Sequence, residues 1–119
     1  MSIDMFMVGV DTTGTVGAAM FYYLASNPDK QEKLREEAMS IMPTKDTPMT
    51  YDSLSQATYL KACIKETLRL SPVVEGIFRA IETDIAVGGY LIPKGTNIMS
   101  CHAIMAIDPE QFKRPQEFI

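Results

Sequence analysis

The sequence predicts a mainly α-helical protein with a small antiparallel β-sheet. Three observations carry this. Residues 3–25 are apolar nearly all round and long enough for a central helix. Residues 59–70 repeat Leu60, Ile64, Thr67 and Leu68, with Cys63, at helical spacing and stop before Pro72. After Pro72 the period shortens, and Gly88-Gly89 punctuates two β-like runs as a two-residue hairpin turn.

In chain order, residues 3–25 would extend about 35 Å as one helix, at about 1.5 Å per residue. Asp11, Thr12, Thr13 and Thr15 interrupt the middle of this run, with Gly9, Gly14 and Gly17. They argue against a membrane span and for a buried rod with one weak spot. Ser26-Asn27-Pro28 ends it and opens the next helix, with Asn27 as N-cap and Pro28 at the first position. That helix covers residues 28–42, with Leu34, Ala38 and Ile41 facing inward, and closes at Pro43. A polar loop follows, then a short helix over 50–56 capped by Thr50, then the helix 59–70. The β-like runs are 78–81, 85–87, 90–92 and 96–99, separated by Thr83-Asp84, Gly88-Gly89 and Pro93-Lys94-Gly95. Residues 102–107 form a last short helix, and the final ten residues read as loop.

The chain has 119 residues, 46% of them hydrophobic and 22% charged, which is globular rather than disordered composition. A net charge of −4 argues against nucleic acid as a general partner. Cys63 and Cys101 are too few and too far apart for a zinc site or a disulfide framework. Reduced thiols, the default, suit an intracellular setting. No metal ligand is assigned.

Two pairs on the helix 59–70 stand out. Glu66 and Arg69 are three residues apart and share one side; Lys61 and Lys65 are four apart and form a basic face. Alone, either pair could be solvated surface charge. Their company matters. Val8-Gly9-Val10-Asp11-Thr12-Thr13 resembles the I-helix motif of cytochrome P450 enzymes, and Lys65-Glu66-Thr67-Leu68-Arg69 with Pro72 resembles their K helix. Gly89 to Thr96 resembles the sheet segment that follows. Asp108-Pro109, Phe112, Pro115 and Phe118 resemble the approach to the family's Pro-Glu-Arg-Phe/Trp segment. Leu60, Lys61 and Lys65 to Leu70 are closest to the animal mitochondrial class. The chain departs at Val8, where a small residue is usual, and at Glu75 and Ile107.

The resemblance implies a partial P450 fold: a long I helix, then J, J′ and K helices, then short strands. Residues 1–119 would be an internal segment of a single domain, with the N-terminal half and the haem-cysteine loop outside it. It implies haem b as cofactor, with an axial cysteine that is neither Cys63 nor Cys101. His102 is not a ligand position in the family. Thr12 and Asp11 would deliver protons to oxygen; the alternative for Thr12 is a hydroxyl bonded back to the Val8 carbonyl, which bends the helix. Glu66 and Arg69 match the structural ion pair, and Arg79 matches an arginine that reaches a haem propionate. Phe6, Met7, Gly9, Val73, Val74, Ile77 and Phe78 match substrate-facing stretches, so an apolar small molecule is expected. Lys61 and Lys65 would receive an acidic ferredoxin.

The function expected is thus a segment of a monooxygenase that inserts one oxygen atom into an apolar molecule. The complete protein would be membrane-associated and mitochondrial, peripheral to the inner membrane. The isolated chain would be inactive without the ligand loop. The alternative is a truncated, inactive product that keeps only the partner-binding face.

Overall fold

The computed structural model describes residues 3–119. The elements are α1 (Ile3–Ser26), α2 (Pro28–Ile41), α3 (Tyr51–Gln56), α4 (Thr58–Leu70), β1 (Ile77–Ala80), β2 (Ile85–Val87), β3 (Tyr90–Ile92), β4 (Asn97–Ser100) and α5 (His102–Met105). This is the helical class with small antiparallel sheets that the sequence predicts. The chain divides into two compact units. One holds α1 to α4 and residues Gln116–Ile119; the other is Val74–Pro115.

In the helical unit, Leu24, Cys63 and Phe118 are buried together, and Met20, Tyr23, Leu34, Tyr59 and Leu70 pack around them. Thr67, also buried, satisfies its hydroxyl on the Cys63 carbonyl at 2.8 Å. The inward face of α4 therefore runs through Tyr59, Cys63, Thr67 and Leu70. Leu68, expected on that stripe, is 40% exposed. It follows buried Thr67 by one residue, about 100° round the helix, which turns it outward.

α1 runs as one helix from Ile3 to Ser26, as the sequence predicts, glycines and threonines included. Two expectations for the first helices are corrected. α1 is not buried along its length: Phe6 is 71% exposed, and Val8 and Val10 are exposed too. The reason is that its packed side chains, Met20, Tyr23 and Leu24, lie in its C-terminal part. Asn27 does occupy the N-cap position of α2, but its side chain makes no capping bond there. Its amide instead donates to the Tyr23 carbonyl at 2.8 Å and closes the end of α1. Thr50, by contrast, caps α3 as expected, in a reciprocal capping box with Ser53.

In the second unit, β1 pairs antiparallel with β4 and β2 with β3. The β2–β3 turn is Gly88-Gly89, with φ of +57° and +85°, the left-handed pair that a tight hairpin needs. Gly95, at φ +87°, makes the turn into β4, where the Thr96 N–H donates to the Pro93 carbonyl. β1 and β4 sit one residue away from the expected runs. Ile81 and Thr96 still join the ladder through the Ile81 N–H to Thr96 carbonyl bond at 2.9 Å. α5 ends at Met105, two residues before its expected end.

Candidate functional site

On α1 the Thr12 hydroxyl donates to the Val8 carbonyl at 2.6 Å, the bond an internal helical threonine makes readily. Thr12, Thr13, Val16, Gly17 and Met20 line an open trough of about 360 Å³ with Ile64 of α4 on its other wall. Its wall is mostly hydrocarbon, and its polar groups are concentrated at Thr12 and Thr13. Asp11 is exposed beside them. A Cβ at Gly9 would meet nothing within 4 Å. Phe6 is exposed one turn earlier; the side chain of Met7 lies outside the described ones.

α4 brings Glu66 and Arg69 together. Arg69 donates from Nε to Glu66 Oε2 at 2.9 Å and from Nη2 to Oε1 at 2.7 Å. The side chains are only 10% and 19% exposed, for arginine and glutamate respectively. Arg69 Nη2 also donates to the Glu117 carbonyl at 2.8 Å, and the Ile119 N–H donates to Glu66 Oε1 at 3.1 Å. The pair thus holds the C-terminal residues against α4. The Arg69 hydrogen bonds keep the Glu66 carboxyl below its ordinary pKa, despite partial burial.

Lys61 and Lys65 are both exposed on α4. They differ in one respect. Lys61 Nζ donates to the Ser55 carbonyl at 2.7 Å, near the end of α3, whereas Lys65 has no ion pair among the described residues.

Two groups in this unit had no sequence motif. Glu37 of α2 accepts from Thr58 Oγ1 at 3.1 Å, the Tyr59 N–H at 2.7 Å and the Leu60 N–H at 2.9 Å. It is a cap for α4 supplied by another helix. Desolvation pushes its carboxyl up, but the Tyr59 and Leu60 amides outweigh that and leave it below the usual value. Tyr23 bonds Ser71 Oγ through its hydroxyl at 2.9 Å and stacks on Phe118 at 5.2 Å. Local spacing signals neither group, because both act on partners more than twenty residues away.

In the strand unit, Ile77 and Arg79 project from one face of β1 and Phe78 from the other. All three are exposed, and Val74 just before them is as well. Val73, at the end of the helical unit, is 37% exposed.

The chain matches the family model described as Cytochrome P450 over residues 1–119. It belongs to the cytochrome P450 family. Among its relatives, it is 40% identical over all 119 residues to "Probable cytochrome P450 49a1" of Drosophila melanogaster, covering 20% of that protein. It is 41% identical to "Probable cytochrome P450 12d1 proximal, mitochondrial" of the same fly, again over the whole chain and 23% of the relative. With the human "Sterol 26-hydroxylase, mitochondrial" it shares 40% identity over 115 residues, 97% of this chain and 22% of the relative. The chain spans about a fifth of the length of the curated relatives it matches.

The P450 cofactor is haem, and the trough beside Thr12 offers an apolar wall to a flat macrocycle. The thiolate is another matter. Cys63 is 4% exposed, and burial pushes its thiol up, away from the thiolate form. Cys101 is half-buried at the start of α5. Among the described residues no three His, Cys, Asp or Glu side chains cluster to hold a metal. No described helix is long and apolar enough to cross a membrane.

Proposed function

We propose that the chain is an internal segment of a mitochondrial haem-thiolate monooxygenase that oxidises an apolar small molecule with electrons from a ferredoxin. The observation that carries this reading is the placement of Thr12. It lines a largely apolar trough, and the exposed Asp11 precedes it on α1. Haem, when bound, supplies the iron at which dioxygen is reduced. The work of the chain is to manage protons and water around that centre.

Thr12 holds its proton on the Val8 carbonyl in this structure. A rotation about χ1 frees that proton for the trough, and the oxygen lone pairs can then accept another. Asp11 exchanges protons with solvent and can resupply Thr12. Val16, Met20 and Ile64 give the trough its apolar wall beside that hydroxyl. Arg79 would bind a haem carboxylate with its planar fork, and Glu66 with Arg69 would hold the C-terminal residues in register. Phe6, Gly9, Val73, Val74, Ile77 and Phe78 would meet substrate, and their hydrocarbon favours an apolar one. Lys61 and Lys65 would receive the ferredoxin. The mitochondrial names of relatives in fly and human support that location and that donor.

The test is Thr12→Ala in the complete protein. Proton delivery by a positioned group is worth about 10²–10⁴-fold, so product formation should fall while oxygen is still consumed and released as hydrogen peroxide. Unchanged coupling between electrons and product would overturn the reading and leave Thr12 as a residue that only bends its helix.

A further inference from the structure

Tyr23 is fastened at three places. Its hydroxyl bonds Ser71 Oγ at the end of α4, its ring lies parallel to Phe118 with an interplanar angle of 3°, and its carbonyl accepts the Asn27 side-chain amide. Tyr22 meets the same ring edge-on at 5.5 Å. Upstream, no described side chain of α1 has a comparable set of bonds. A Cβ at Gly9, Gly14 or Gly17 would find no neighbour within 4 Å.

Tyr23 and Thr12 are eleven residues apart on an unbroken helix. At about 100° per residue that is three turns with about 20° left over, so both leave α1 on nearly the same side. Val16 and Met20 fall between them on that side and line the trough. A helix is stiff to twist about its axis, since each turn is locked by its hydrogen bonds. Whatever sets the azimuth of Tyr23 therefore sets the direction of Thr12, about 16 Å along the axis.

We propose that Tyr23 is a positioning residue: its bond to Ser71 fixes the rotation of α1 against α4 and so aims Thr12 into the trough. The proposal rests on the reading of Thr12 given above, and it assigns Tyr23 no contact with substrate or cofactor. The stack on Phe118 resists sliding of the ring, but a flat stack leaves in-plane rotation free. The hydroxyl bond removes that freedom, which is why the phenol rather than a phenyl ring matters here.

The experiment uses the complete protein. Spin labels on Thr15→Cys and Lys65→Cys, both exposed positions, report the α1–α4 distance distribution. Tyr23→Phe keeps the ring and its stack and removes only the hydroxyl. The expected result is a shifted and broadened distribution, reproduced by Ser71→Ala, not increased in the double variant, and absent in Ser71→Thr, which restores a hydroxyl. With an apolar compound that the parent protein is first shown to oxidise as the probe substrate, peroxide released per electron should rise about two- to tenfold in Tyr23→Phe, the factor that loss of one neutral hydrogen bond allows. In a Thr12→Ala background Tyr23→Phe should add nothing. A purely structural tyrosine would lower the unfolding midpoint and leave the label distances alone. Unchanged distances, or changed distances with unchanged peroxide release, overturn the proposal. Failure of the monooxygenase reading is separate: Thr12→Ala would then leave coupling intact whatever the labels show.

Discussion

Arg69 grips Glu66 through two hydrogen bonds, at 2.9 and 2.7 Å, and with the same Nη2 that makes the shorter one holds the Glu117 carbonyl. One guanidinium therefore joins α4 to the C-terminal residues, and Phe118 enters the core between two of the contacts, Glu117 and Ile119. Removing the carboxylate would take the opposite charge away from a mostly buried cation. Glu66→Ala should cost about 3–5 kcal/mol, as breaking one side of a buried pair does. In the complete protein it should abolish haem incorporation, because the unit that frames the trough loosens. Denaturant unfolding and the haem-to-protein ratio check this; a stable, haem-loaded variant would show the pair to be dispensable.

The same pair predicts acid sensitivity with a definite sign. Arg69 lowers the folded-state pKa of Glu66 below its ordinary value of 4.5. A carboxyl depressed on folding stabilises the fold fully above its unfolded pKa, and that stability is lost as pH falls through the lower folded value. The unfolding free energy should therefore fall as pH drops below about 4.5, and fall less steeply in Glu66→Gln. Equal slopes in the two proteins from pH 5 to 3 would mean that Glu66 is not the group responsible.

Glu37 caps α4 from α2 with both carboxylate oxygens. Without it, two N-terminal amides of α4 lose their acceptor. Glu37→Ala should destabilise the helical unit by about 0.5–2 kcal/mol, the usual worth of a helix cap. Glu37→Gln should recover part of that, since one amide oxygen can still accept. Circular dichroism during thermal unfolding reads both. An Ala variant as stable as the parent would mean that water replaces the cap.

Gly76 precedes β1 at a close approach. A Cβ there would lie 2.6 Å from Met99 Cε and 2.7 Å from the Ser100 carbonyl oxygen. The methionine end can move, but the backbone oxygen belongs to a paired strand. Gly76→Ala should cost about 1–3 kcal/mol as an overpacked site. Denaturant unfolding checks it, and a neutral result would show that β4 yields.

What the sequence made legible was what local pattern encodes. Spacing gave α4 and its Glu66–Arg69 pair, Gly88-Gly89 gave the hairpin, and Thr50 gave its cap. The misses share a cause: they depend on partners distant in the chain. Asn27 had a choice of two helix ends and took the carbonyl of Tyr23, four residues back. Glu37 looked like one more charge on a polar helix, and its role lies more than twenty residues ahead. The burial of Phe118 in a loop-like tail depends on Tyr23, and only the fold brings the two rings together.

The two lysines of α4 should not contribute equally to ferredoxin binding. Both are exposed one turn apart, so an acidic partner meets them together, and the net charge of −4 on the chain makes this local positive face distinctive. Lys61 already gives one hydrogen to the Ser55 carbonyl, which fixes its ammonium near the end of α3. Lys65 is free to follow the partner. Lys65→Gln should remove one charge and nothing else. Lys61→Gln should remove a charge and also release the link to α3, so it should weaken binding more and lower the unfolding midpoint slightly. The double variant should bind ferredoxin more weakly, with a shallower dependence on salt, since exposed charges are screened over about 8 Å at physiological ionic strength. Turnover driven by added peroxide bypasses the donor and should survive in all three. Titration of the complete protein with ferredoxin at several salt concentrations decides it. Unaltered affinity and salt slope in the double variant would remove this face as the donor site and leave the Thr12 trough standing on its own.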